Sequence, residues 1–335
     1  MEDDLLRIEC LVKHFPVKSG FFGEHSGLVH AVDNITLSIR EGDTFGLVGE
    51  SGCGKTTLAR LIAKLEDSNE GRIIFRGKEI SQLSGQELKL YRREVEMVFQ
   101  DPFESLNPRR TVESILSQPF LNHKIASGSE LKAIIVNLLN AVGLKPGEQY
   151  LRRYPHQFSG GQRQRIGIAR AIALRPRLVI ADEPVSALDI SIRAQILELL
   201  KELQQTFHMS SLFISHDLSV VRSLCNVVAV MYLGKLVEMG GADELFSRTL
   251  HPYTLALISA TPISDPRKAL SKKRIIMKGD VASPINPPSG CRFRTRCPYQ
   301  VAVCADEEPF LVEYFPGHSA ACHRIEDISR MVSAK

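Results

Sequence analysis

The chain has 335 residues, 44% of them hydrophobic and 24% charged, which excludes a disordered chain, a collagen-like repeat and a disulfide-dense miniprotein. The 42 basic and 38 acidic residues leave a net charge of +4, too mild to imply nucleic acid or an anionic membrane surface as a partner. No apolar run approaches the roughly 18–20 residues that cross a bilayer. The opening Met1-Glu2-Asp3-Asp4 is acidic where a signal peptide is basic, so a cytosolic chain is expected, with any membrane role exercised through a partner.

Taken in order, positions 6–15 and 29–39 alternate apolar and polar residues and predict two strands, with 18–27 as an exposed turn or insertion between them. The run Thr44 to Val48 predicts a buried strand ending at a glycine-rich turn. Leu58, Leu61, Ile62 and Leu65 then give the spacing of a helix from Lys55 to Leu65. Further strands are expected at 71–75 and 94–99. From about 110 to 155 the pattern turns helical, with Leu131, Ile134, Ile135, Leu138, Leu139 and Val142 on one face, which suggests an inserted helical subdomain. Strands at 178–181, 211–215 and 226–231, with a helix presenting Ile192, Ile196, Leu199, Leu200 and Leu203, imply a largely parallel, helix-flanked sheet. Past about residue 260 the chain is rich in Pro, Lys and Ser. The expected division is therefore 1–260 and 261–335.

Gly49, Glu50, Ser51, Gly52, Cys53, Gly54, Lys55 and Thr56 form a complete G-x-x-x-x-G-K-[ST] motif between a strand and a helix, with Thr57 beside it. Glycines there let successive backbone N–H groups turn around phosphate oxygens, and the helix N-terminus adds positive potential. Lys55 can reach the β- and γ-phosphates, and the Thr56 hydroxyl can ligate Mg²⁺. The apolar run from Leu178 ends in Asp182, suited to the magnesium shell, and Glu183, suited to orient or deprotonate an attacking water. Phe158-Ser159-Gly160-Gly161-Gln162 reads as a second anion site, with a Ser-capped helix start as the plainer alternative.

That last run, in this order along the chain, resembles the signature of the ATP-binding cassette superfamily, the ATP-hydrolysing subunits of ABC transporters. The resemblance implies an α/β fold: a P-loop NTPase cassette with a parallel-rich sheet core, an antiparallel β subdomain and a helical subdomain, plus a small C-terminal Cys-rich domain. It makes Gln100 the Q-loop glutamine, Asp189 part of the D-loop and His216 the switch histidine at the γ-phosphate. It makes Phe15 the aromatic that stacks on adenine, although residues 16–30 are inserted directly after it. It further implies head-to-tail closure of two chains around ATP. The phosphate loop of one would then face Ser159–Gln162 of the other, with Glu183, His216 and Gln100 as the active-type residues.

Three features resemble the ATPases of dipeptide/oligopeptide importers, in the form of the second of their two ATPases: Gln100 to Pro108, His251 to Ile258, and the tail from Gly290 to His323. The implied partners are a paralogous or identical ATPase subunit, two permeases and, through them, an external solute-binding protein. Nucleic acid is not implied, and the implied place is the cytoplasmic face of the cell membrane. Nickel, glutathione-like compounds or oligosaccharides are alternative solutes, and a non-transport ATPase of repair, translation or cofactor assembly is the alternative function.

Four of the seven cysteines, Cys291, Cys297, Cys304 and Cys322, cluster in the tail without the paired C-x₂-C spacing of most structural zinc sites. Four thiolates suit a [4Fe–4S] cluster, which some members of the resembled family carry there. Zinc with His318 or His323, and metal-free buried thiols, are the alternatives.

Overall fold

A computed structural model describes residues 4–19, 24–101, 105–261, 275–277, 279–280 and 282–333. The expectations on Pro102, Phe103 and Glu104 and on the Pro-, Lys- and Ser-rich stretch 262–274 lie outside the described residues. The chain divides into two compact units, one running to Gln82 and resuming at Ser215, the other spanning Leu83–Ile214.

In the first unit, β1 (Asp4–Ser19) and β2 (Glu24–Arg40) form an antiparallel hairpin. The two strands expected there are present, but 18–27 is not simply a turn, because pairing continues out to Ser19 opposite Glu24. Backbone pairing needs no apolar side chains, so alternation could not reveal it. β3 (Thr44–Val48) is buried at every position. α1 (Lys55–Ile62) ends short of the expected Leu65, because Lys64 turns to a positive φ of 52 and Leu65 is half exposed. β4 (Glu70–Phe75) and β5 (Lys78–Glu79) complete a sheet of order β2-β1-β4-β5.

The second unit carries α2 (Gly85–Glu94), β6 (Val95–Val98), α3 (Val112–Asn122), α4 (Gly128–Ala141), α5 (Gly160–Ile172), β7 (Leu178–Asp182), α6 (Ile190–Phe207) and β8 (Ser210–Ser215). Strands β6, β7 and β8 are parallel. The face foreseen on α4 is the one that packs: Leu131, Ile135, Leu139 and Val142 join Ile115 and Leu116 in one core, with Ile134 and Leu138 at its margin. On β6, burial outweighs the Arg170 guanidinium and pushes Glu96 up from 4.5 to about 7. The folded state therefore binds a proton that the unfolded chain has released, and this stability is lost as pH rises from about 4.5 through about 7. Glu96→Gln, which mimics the protonated acid, is expected to flatten that decline, by at most about 3 kcal/mol. Thermal melts of both proteins at pH 5 and pH 8 check it, and parallel curves would refute it.

The first unit resumes with α7 (Leu218–Leu224), β9 (Val227–Tyr232), β10 (Lys235–Gly241), α8 (Ala242–Ser247), α9 (Pro252–Ala260), α10 (Val303–Asp306), β11 (Val312–Phe315), β12 (His318–Ala320) and α11 (Ile325–Ser333). Here the strand order is β11-β12-β10-β9-β3, so the tail adds its two short strands to the edge of β10. Glu238 is fully buried yet satisfied: it accepts from the Leu250 and His251 N–H groups and bonds the His318 ring at 2.9 Å. Tyr232, Tyr253 and Phe293, all essentially buried, pack with ring centroids 4.7–5.3 Å apart. Among the described residues, no helix is long and apolar enough to cross a membrane.

Candidate nucleotide site

The phosphate loop is shaped by its crowding. A Cβ at Gly54 would lie 1.9 Å from the Ala31 carbonyl oxygen, and one at Gly49 2.2 Å from that of Met231. Gly54 also sits at φ 110, where a side chain is strained, and from there it starts α1. Lys55 is buried and lies along the loop, its Nζ donating to the carbonyls of Gly49 at 2.8 Å and Glu50 at 3.0 Å. Burial raises the Cys53 thiol, so that residue offers backbone rather than a thiolate, its carbonyl accepting from the Gly234 N–H. Thr56 and Thr57 occupy the first turn of α1.

Glu50 is held from outside the loop. Its N–H donates to the Tyr253 hydroxyl at 2.9 Å, and its carboxylate accepts two bonds from the Arg296 guanidinium, at 2.7 and 3.2 Å. Tyr253 is aimed there because His251 starts α9: its Nδ1 accepts the Tyr253 N–H at 3.1 Å. Burial pushes His251 down to about 3, so the ring stays neutral and can accept. Sequence reasoning passed over Tyr253 and Arg296; the His-Pro-Tyr run was visible, but the loop it reaches lies far away in the chain.

Phe15 is half-buried on β1 opposite Val29, with the Lys13 ammonium 4.8 Å from its ring centre. The residues inserted after it lengthen the hairpin rather than displace it. His216 is exposed directly after β8, where the Ser215 hydroxyl accepts the Asp217 N–H and Asp217 caps α7.

In the second unit, Asp182 closes β7 with 2% of its surface exposed. Glu183 follows at φ 43, a strained conformation for a non-glycine residue, with its N–H on the Ile214 carbonyl at 3.0 Å. Gln100 donates through Nε2 to the Glu183 carboxylate at 3.3 Å, so two residues foreseen separately are brought together. Ser159 caps α5 in a capping box, accepting the Gln162 N–H at 3.3 Å while Gln162 accepts the Ser159 N–H at 3.1 Å. The plainer reading of that run as a capped helix is thus also true of it. Asp189 is exposed at the start of α6, and Arg193 steadies the preceding loop through the carbonyls of Leu188 and Ser186. The hydroxyl of Thr56, the carboxylate of Asp182 and the amide oxygen of Gln100 are hard donors of the kind Mg²⁺ takes.

Two clusters elsewhere in the first unit gather ligand-type side chains. His14, His30 and Asp33 bring ligand-type atoms within 4.8 Å of one another. The Asp33 carboxylate, however, already pairs with Arg292 and has Lys235 Nζ at 3.9 Å. A cation there would meet two positive side chains for one carboxylate, so the cluster is an ion-pair network. The sulfur cluster is Cys291, Cys297, Cys304 and Cys322, which line one small cavity with Phe293, Tyr299 and His323. Burial pushes the thiols of Cys291 to about 11 and Cys322 to about 12 and raises Cys297. Each expected histidine has its Nε2 engaged: His318 bonds Glu238, and His323 bonds the Glu307 carbonyl at 3.0 Å.

The family description "ABC transporter" matches residues 32–186, and "Oligopeptide/dipeptide transporter, C-terminal region" matches 237–304. The chain is 50% identical over 323 residues to the oligopeptide transport ATP-binding protein AppF of Bacillus subtilis, covering 96% of this chain and 98% of that protein. It is 46% identical over 327 residues to the oligopeptide transport ATP-binding protein OppF of Escherichia coli, covering 97% of each. Among solved structures, a dimeric ATP-binding cassette in a post-hydrolysis state bound to ADP and Pi matches with TM-score 0.63 and 28% identity over 71% of this chain and 98% of that one. The cbiO1 subunit of Clostridium perfringens matches with TM-score 0.61 and 28% identity over 73% and 91%.

These relatives overturn the iron–sulfur expectation. They are plain ABC ATPases, similar along nearly the whole chain. The [4Fe–4S] assignment of Cys291, Cys297, Cys304 and Cys322 is withdrawn. The cassette expected from the phosphate loop and the signature run stands. The chain belongs to the ATP-binding subunits of the oligopeptide/dipeptide family of ABC transporters.

Proposed function

We propose that this chain works at the cytoplasmic face of the membrane, where ATP hydrolysis on a head-to-tail pair of such subunits drives oligopeptide uptake through two permeases. The observation that carries the reading is the similarity of 46–50% along nearly the whole chain, C-terminal region included, to proteins named for oligopeptide transport. A related cassette was solved as a dimer with ADP and Pi, which supports the pairing. We place the boundary between the cassette and the C-terminal region near residue 260, with the helical subdomain at about 110–155.

In the proposed reaction, the loop from Gly49 to Thr57 cradles the phosphates and Phe15 stacks on adenine. Thr56, Gln100 and Asp182 hold Mg²⁺, which when bound neutralises charge on the β- and γ-oxygens. Glu183 accepts a proton from the water that attacks γ-phosphorus in line as the bond to ADP breaks. Gln100 fixes the Glu183 carboxylate, His216 contacts the γ-phosphate, and Ser159–Gln162 with Asp189 face the opposite chain. The test is reconstitution with its permeases and binding protein in lipid vesicles. ATP-dependent accumulation of a labelled oligopeptide is expected. Accumulation of nickel or an oligosaccharide instead would reject the peptide assignment, and failure to associate with any permease would reject transport.

A further inference from the structure

We infer that Arg296, in the C-terminal region, is a positioning residue for the phosphate loop and acts through Glu50. Every polar group of Glu50 is engaged. Its carbonyl accepts from Lys55 Nζ at 3.0 Å and from the Cys53 N–H at 3.3 Å. Its N–H goes to Tyr253 and both carboxylate oxygens go to Arg296. The groups that set the loop's shape and the Lys55 register are thus anchored on one residue, and that residue is fixed by side chains from the family's C-terminal part.

The geometry is that of a strong anchor. Two parallel N–H to oxygen bonds fix orientation as well as distance, and the Arg296 side chain is only 8% exposed. Arg296 is itself braced: its N–H donates to the Phe293 carbonyl at 3.0 Å, and the Phe293 ring packs against Tyr232 and Tyr253. One aromatic cluster therefore carries both arms of the clamp.

Charge gives Arg296 a second duty. Glu50 puts a carboxylate into a loop that receives a polyphosphate, and like charges this close repel strongly in a partly desolvated site. Arg296 cancels that charge and holds the carboxylate in a fork. Removing the guanidinium leaves the carboxylate free to repel nucleotide and releases the Glu50 end of the loop.

The test is titration of each full-length variant with a fluorescent ATP analogue, with steady-state ATPase kinetics and thermal melts alongside. Arg296→Ala is expected to weaken nucleotide binding by about 10- to 100-fold, to raise KM for ATP in proportion, and to change kcat far less. Arg296→Lys, a point charge without the fork, is expected to recover part of the affinity. The deciding variant pairs Arg296→Ala with Glu50→Gln: with the carboxylate gone, binding is expected to return at least several-fold toward wild type. Wild-type affinity in a folded Arg296→Ala protein would overturn the inference, as would a double variant no better than Arg296→Ala alone. If Arg296→Ala does not fold, Arg296→Lys with and without Glu50→Gln gives the same comparison.

Discussion

Replacing Glu183 by Gln is expected to lower ATP turnover by about a hundred- to ten-thousand-fold, the usual worth of a positioned general base, while nucleotide binding is retained. The carboxylate is held by its surroundings rather than by its own preference. β7 is buried at all five positions. The backbone of Glu183 sits at φ 43 and is tied to Ile214, and Gln100 donates to one carboxylate oxygen. A non-glycine residue at positive φ costs on the order of 1–2 kcal/mol and persists where neighbours over-determine it. Glutamine fills the same volume and can still accept from Gln100, but it cannot take a proton from water. Phosphate release and analogue binding, measured on one preparation, separate chemistry from binding. A wild-type rate would mean that another group is the base.

Gly54→Ala carries the next largest effect. The added methyl would stand 1.9 Å from the Ala31 carbonyl oxygen, a backbone atom that cannot swing aside, and the backbone is at φ 110. Strain and clash together are expected to cost about 3 kcal/mol or more and to abolish nucleotide binding by pushing the loop off β2. Gly52→Ala separates the two causes. Its φ is 78, but nothing lies within 4 Å of the new methyl, so only strain of roughly 1 kcal/mol is expected. Thermal melts and analogue titration of both variants decide the matter, and a Gly54→Ala protein that binds like wild type would refute this account of the cradle.

Much of the fold is legible in the sequence. The α4 stripe is legible because a helix must bury one side, so Leu131, Ile135 and Leu139 recur at helical spacing. β3 and β7 are legible because strands buried on both faces are apolar throughout. The β1–β2 extension, β11 and β12 were not, since their pairing rests on backbone groups that every residue carries. β11 is mostly exposed, so its Val312, Tyr314 and Phe315 mark no buried face. The cysteine tail misled because spacing shows that thiols are near in sequence, not what they bind.

The phosphate loop with which this chain declares its chemistry is determined by its sequence alone. Its parts are consecutive, and the demands of phosphate on backbone N–H groups leave few residue choices at each position. The tertiary structure decided what holds that loop. Tyr253 and Arg296 stand 203 and 246 residues from Glu50, and Gln100 stands 83 from Glu183. No periodicity or spacing links residues so distant; they meet because the sheet and one buried aromatic cluster bring them together.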